Sequence, residues 1–144
     1  MFRNFVFSLI TLQFLSAFFH SLSFFSSPKA SNDTEKQLVD LMVNYKQNVG
    51  LGMQRSMYDL FTGVSICFTL LFLFSALLNL YLLRNEVGRT HFKAILRLQM
   101  IVFAIAFIFQ IKFTFLPPIV CAGLVTTAAI LAWYYSDKAE PTTK

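Results

Sequence analysis

The sequence predicts an all-α integral membrane protein, a four-helix bundle with a short external amphipathic helix between its first two spans. Two observations carry that reading. Of 144 residues, 56% are hydrophobic and only 13% charged, and the 18 Phe outnumber the 7 acidic residues more than twofold. A soluble domain of this length leaves roughly a third of its unfolded-chain surface exposed, too much to hide so many apolar side chains. The apolar residues also gather into long runs. Crossing about 30 Å of hydrocarbon takes roughly 20 residues of helix at about 1.5 Å rise each, and four stretches meet that length or approach it.

The first span is placed at Phe5–Phe25. Met1-Phe2-Arg3-Asn4 before an apolar run also resembles the start of a secretory signal peptide. Retention as an anchor is the expectation, because the run is long, carries Phe throughout, and Ser26-Ser27-Pro28-Lys29-Ala30 lacks a clear small-x-small cleavage site. The external loop, 26–57, follows. Within it Asn32-Asp33-Thr34-Glu35 reads as a capping box. Leu38, Leu41, Met42, Tyr45 and Val49 then recur at helical spacing, so one apolar stripe is expected to run until Gly50 and Gly52 break it. Such a stripe suits the outer leaflet or a cover over the mouth of the bundle.

The second span, Tyr58–Leu83, is the cleanest, with no Asp, Glu, Lys, Arg or His between Leu60 and Leu83. A loop at 84–93 leads to the third span, Ala94–Ile111, and the fourth is Pro117–Tyr135, followed by a tail at 136–144. Pro117-Pro118 separates the last two spans, since proline disfavours helix in the residue before it and suits a first helical turn. Lys112 can carry its ammonium to the membrane surface at that hairpin.

Basic flanks set the orientation, because short cytoplasmic loops collect Lys and Arg. Arg3, Arg84, Arg89, Lys93, Arg97, Lys138 and Lys144 lie on one side, seven of the twelve cations. Lys29, Lys36, Lys46 and Arg55 are diluted over the long loop on the other, with the lone Lys112. Both termini are therefore expected in the cytoplasm. Trp133, Tyr134 and Tyr135 mark the end of the fourth span as an aromatic belt. The net charge of +5 then follows topology and attraction to anionic lipid, and nucleic acid is not an expected partner.

No metal-ligand spacing, phosphate loop, nucleophile elbow, dinucleotide fingerprint or internal repeat occurs in the chain, so no metal or cofactor is expected. Cys67 and Cys121 fall at different depths, roughly 13 Å and 6 Å from the outer ends of their spans, and are read as free, buried apolar residues. Polar residues that membrane placement makes expensive remain. His20 lies near the external end of the first span, and Arg55 and Asp59 lead into the second at the same level. Four apart on a continuous helix, Arg55 and Asp59 can pair, and His20 completes a candidate polar site. Its functional reading is proton transfer or ligand contact by His20, tuned by Asp59, with Arg55 drawing an anionic group. Its structural reading is an interfacial ion pair, a helix start and a hydrogen-bonding link. Gly63, Ser65, Ser75 and Ala76 suit close helix packing, and Asn79, Gln99 and Gln110 suit hydrogen bonds across the bundle.

His20, Asn32, Met42, Gly52-Met53-Gln54-Arg55-Ser56-Met57-Tyr58-Asp59 and Gly63-Val64-Ser65 together resemble a family of small, uncharacterised four-span bacterial inner-membrane proteins. A His after the first span and an Arg-Ser-x-x-Asp-like entry to the second recur in it. The resemblance covers the first two spans and their loop; Phe19 stands where the pattern has a glycine. It implies the four-helix fold, the bacterial inner membrane, and attention to His20, Arg55 and Asp59, and it supplies no activity. Two classes of function follow: binding of a lipid-like ligand, a membrane protein partner or a second copy of the chain, or a small membrane enzyme or redox accessory acting through His20 and Asp59. A small transporter subunit is the third alternative.

Overall fold

The computed structural model describes residues 1–25 and 29–138, and of Asp137 only the backbone. Ser26–Pro28, weighed above for cleavage, and the tail from residue 139, including Lys144, lie outside the described residues. Five α-helices and one small hairpin follow in order: α1 (Phe2–Leu22), prolonged by a 3₁₀ turn at Ser23–Phe25; α2 (Asp33–Asn44); β1 (Lys46–Asn48); β2 (Gln54–Ser56); α3 (Met57–Arg84); α4 (Arg89–Phe113); and α5 (Leu116–Asp137). Of these, α1, α3, α4 and α5 are long and apolar enough to cross a membrane. Each overruns its predicted span by one to a few residues at one or both ends, because helical backbone continues through polar flanks that apolarity alone excludes. The largest extension is at α4, whose first turn buries Phe92 and shortens the expected 84–93 loop to Asn85–Gly88.

That short connection closes with a 6→1 bond from Val87 N–H to Leu82 C=O at 3.2 Å, the hydrogen bond of a Schellman ending. Glu86 holds the left-handed position at φ 49°, where glycine is the usual occupant. At the other connection, Thr114 caps α4 by donating both its N–H and its hydroxyl to Gln110 C=O, and Pro117-Pro118 sits in the first turn of α5 as expected.

The chain divides into two compact units. The first comprises residues 1–16 and 71–138 and holds nearly all the core. Small residues Ala122, Ala129 and Ala132 with Val125 form the buried face of α5, and a side chain at Gly123 would come within 3.1 Å of the Phe107 ring on α4. Backbones thereby approach closely where apolar area alone does not choose between helix faces. Aromatic pairs complete the packing: Phe2 edge-on to Phe92, Phe5 stacked on Tyr135 at 4.6 Å, and Phe72 stacked on Phe103 at 5.5 Å.

At the centre of this unit three amides meet. Gln13 of α1 and Asn79 of α3 are 0% exposed and Gln99 of α4 is 9% exposed. Asn79 Nδ2 donates to Gln13 Oε1 at 3.0 Å and to Gln99 Oε1 at 2.9 Å. Gln99 Nε2 returns a bond to Asn79 Oδ1 at 3.1 Å, and Gln13 Nε2 donates to Gln99 Oε1 at 3.2 Å. Asn79 and Gln99 behave as expected; Gln13 was not anticipated. Gln110 is buried, but its Oε1 has no hydrogen-bond partner among the described residues.

The second unit comprises residues 17–70 and, among those described, buries only Ala17 and Ser56. The helix α2 starts as expected, with Asn32 Oδ1 accepting from Glu35 N–H at 2.8 Å, while Glu35 Oε2 reaches Ser31 N–H instead of Asn32. It stops at Asn44, short of Tyr45 and Val49. Lys46–Asn48 pairs antiparallel with Gln54–Ser56, and the chain reverses through Gly50, Leu51 and Gly52, all at positive φ. The two glycines, expected to end a helix, supply the left-handed backbone of a hairpin.

Asn79 takes part in three of the four amide bonds. Asn79→Leu should therefore lower stability by about 1–3 kcal/mol by leaving buried amide groups unpaired. The triple change Gln13→Leu, Asn79→Leu and Gln99→Leu should lose less, since no orphaned polar group remains. Denaturation in detergent followed by circular dichroism measures both; a single variant as stable as wild type would remove the triad from the forces holding these helices.

Candidate functional site

His20, Arg55 and Asp59 all fall in the second unit. His20 sits in the last turn of α1, half-buried, where its ring stacks on Phe68 of α3 with centroids 5.8 Å apart and planes 14° from parallel. Its carbonyl accepts a bond from the Ser23 hydroxyl at 2.7 Å, within the 3₁₀ turn that ends the helix. An imidazole packed flat on a phenyl ring is held in one orientation by apolar contact and keeps its nitrogens at the ring edge for polar partners.

Arg55 and Asp59 do not share a continuous helix, which corrects the geometry on which their pairing rested. Arg55 is the central residue of β2, across from Gln47 of β1, and its Nη1 donates to Gln54 C=O at 3.0 Å. Helix α3 begins only after Ser56. Asp59 forms a reciprocal cap with that residue: Ser56 N–H donates to Asp59 Oδ2 at 2.9 Å, and Asp59 N–H donates to Ser56 Oγ at 3.1 Å. This is the capping-box arrangement with a shorter acid, and a carboxylate in the first turn also complements the positive end of the helix dipole. Among the described residues the only ion pair within 4 Å joins Lys36 and Asp33, so Arg55 and Asp59 are not in salt-bridge contact.

The chemistry at this end is therefore divided. Asp59 is engaged in starting a helix, Arg55 stands exposed on a hairpin, and His20 presents an imidazole edge beside an aromatic wall. The Ser-x-x-Asp spacing at Ser56–Asp59 carried the cap signal in the sequence, but reading Arg55 into the same helix concealed it. The two cysteines are free, as expected, but contrary to expectation neither is buried: Cys67 is exposed and Cys121 partly covered. Among the described residues no group of three or more His, Cys, Asp or Glu is placed to hold a metal ion.

Around the polar residues the surface is apolar. Phe18, Phe19 and Leu22 of α1 and Phe61, Val64 and Ile66 of α3 are exposed. Outside the long helices, α2 buries none of its residues, and it turns Val39 and Met42 partly inward while Leu38 and Leu41 face out. At the hairpin tip Leu51 is 98% exposed, between Val49 and Met53, which are also exposed.

Ser56→Ala should loosen the start of α3 by about 1 kcal/mol, visible as faster amide hydrogen exchange over residues 57–60. Unchanged exchange would mean that the Ser56 hydroxyl does not hold this end. Asp59→Asn separates the two readings of that acid: an amide oxygen still accepts the Ser56 bond, so a purely capping role predicts little change in exchange or in any bound ligand, whereas a charge-dependent role predicts loss of the ligand alone. No protein-family model matches the chain, and neither the curated proteins nor the solved structures include one similar to it.

Proposed function

We propose that this chain is a four-span protein of a bacterial inner membrane, with both termini in the cytoplasm, that binds a lipid-like amphiphile or a membrane protein partner at its external end. The observation that carries the reading is the uncovered apolar surface of the second unit, above all the part outside the long helices. Leu38 and Leu41 of α2 and Leu51 of the hairpin are large apolar side chains left exposed outside the long helices, and exposed apolar residues of this kind suit contact with lipid or a partner. Exposed Phe and Leu on the long helices suit acyl chains; His20 and Arg55 add an imidazole edge and a guanidinium for a polar headgroup or carboxylate.

Binding accounts for this arrangement better than catalysis through His20 and Asp59, because Asp59 is already committed to Ser56. The topological part rests on the four apolar helices and on the seven cations flanking their other ends.

Wild type, His20→Ala and a Leu38→Ser/Leu41→Ser variant purified in mild detergent should differ by native mass spectrometry. Wild type retains a lipid or a membrane protein that both variants lose while accumulating normally; equally bare preparations would end the binding reading. Single cysteines at Lys36 and Lys138, in a chain with Cys67 and Cys121 changed to Ala, test orientation. An impermeant thiol reagent should label position 36 in intact cells and position 138 only after permeabilisation, and the reverse pattern would invert the topology.

A further inference from the structure

The first unit carries a groove, open to the outside, that the triad and the residues of the candidate site do not use. Between the first two turns of α4 and the last turns of α5 lies a space of about 280 Å³ lined by Thr90, Lys93, Ala94, Arg97 and Trp133. The four α4 residues are spaced i, i+3, i+4 and i+7, so they form one face of the helix. Trp133 closes the groove from α5, with Lys93 Nζ 5.6 Å from its ring centroid. The Arg97 side chain is exposed and makes no hydrogen bond or ion pair with another described residue.

We propose that this groove binds the phosphate headgroup of an anionic phospholipid. Charge, shape and position argue together. A guanidinium offers a planar fork that matches phosphate oxygens two at a time, with the Thr90 hydroxyl and the Lys93 ammonium on the same face to complete the shell. Trp133 supplies the amphipathic ring that favours the headgroup level of a bilayer. Continuing the same face of α4 inward from Arg97, Ile101, Ile105 and Ile108 are all exposed, an apolar track at i+4, i+8 and i+11 along which an acyl chain can lie. A soluble phosphate has no use for that track; a phospholipid uses both parts. Basic pockets between membrane helices on the cytoplasmic side recognise anionic headgroups in this way. The inference rests on the reading of the four helices as membrane spans.

Trp133 is the only tryptophan in the chain, so its fluorescence reports on this groove alone. The experiment reconstitutes the full chain into vesicles of phosphatidylcholine containing a small fraction of brominated phosphatidylglycerol or, separately, of brominated phosphatidylcholine, and measures quenching. The anionic brominated lipid should quench more strongly at equal mole fraction, with an apparent affinity about fivefold higher. Arg97→Gln should reduce that preference to near parity, and Arg84→Gln, outside the groove, should keep it. Equal quenching by the two lipids in wild type overturns the proposal, and this comparison stands even if Arg97→Gln fails to accumulate. Retention of the preference in a folded Arg97→Gln protein also overturns it. Millimolar inorganic phosphate should leave the quenching unchanged; if it abolishes the preference, the groove takes a soluble phosphate and the lipid assignment falls. Failure of the membrane reading looks different: neither brominated lipid quenches Trp133, and alkaline carbonate releases the protein from vesicles.

Discussion

Three amides among apolar side chains constrain the first unit more tightly than any apolar contact does. An apolar face can slide or rotate against another with small loss when the surroundings are equally apolar, whereas a buried amide that loses its partners keeps the full penalty of an unmet polar group. Gln13, Asn79 and Gln99 lie on three different helices, and each has both its oxygen and its nitrogen engaged. Their meeting sets the axial position and rotation of α1, α3 and α4 at one point. The small-residue face of α5 and the Phe107 approach to Gly123 then bring the fourth helix in without another polar pin.

The two units differ in how they use their apolar residues. In the first, Val6, Leu9, Leu96 and Phe72 are fully covered and the polar network lies among them. In the second, the same kinds of residue face outward and the polar groups serve local geometry: Asn32 and Glu35 start α2, Ser56 and Asp59 start α3, and the glycines at 50 and 52 turn a hairpin. A region built from local bonds, with little core of its own, keeps its surface available for other molecules, and sites are commonly drawn from such low-stability regions. Leu51 makes the point sharply. A leucine at φ 52°, almost wholly exposed, adds nothing to packing and carries a backbone penalty of about 1–2 kcal/mol.

What was legible in the sequence was local. Long apolar runs announced the four helices, Pro117-Pro118 announced the last hairpin, and Asn32 with Glu35 announced the start of α2, because each signal depends on residues within one or two turns. The errors came where two local readings competed. The spacing of Leu38, Leu41, Tyr45 and Val49 fits a helix, but strand pairing of Lys46–Asn48 with Gln54–Ser56 displaced its last turn. That hairpin also moved Arg55 off the helix it was thought to share with Asp59.

By itself, then, the sequence determined the number and apolar character of the long helices and the proline-marked turn between the last two, since hydropathy and proline geometry act along the chain. Only the tertiary structure decided that Gln13 joins Asn79 and Gln99, that His20 lies flat on Phe68, and that Arg97 and Trp133 share a groove. Gln13 sits among Ser8, Thr11 and Ser16, and nothing in its neighbours distinguishes it; its partners are 66 and 86 residues away. Which polar groups meet depends on how helices rotate and rise against one another, and that is settled by packing between segments far apart in the chain.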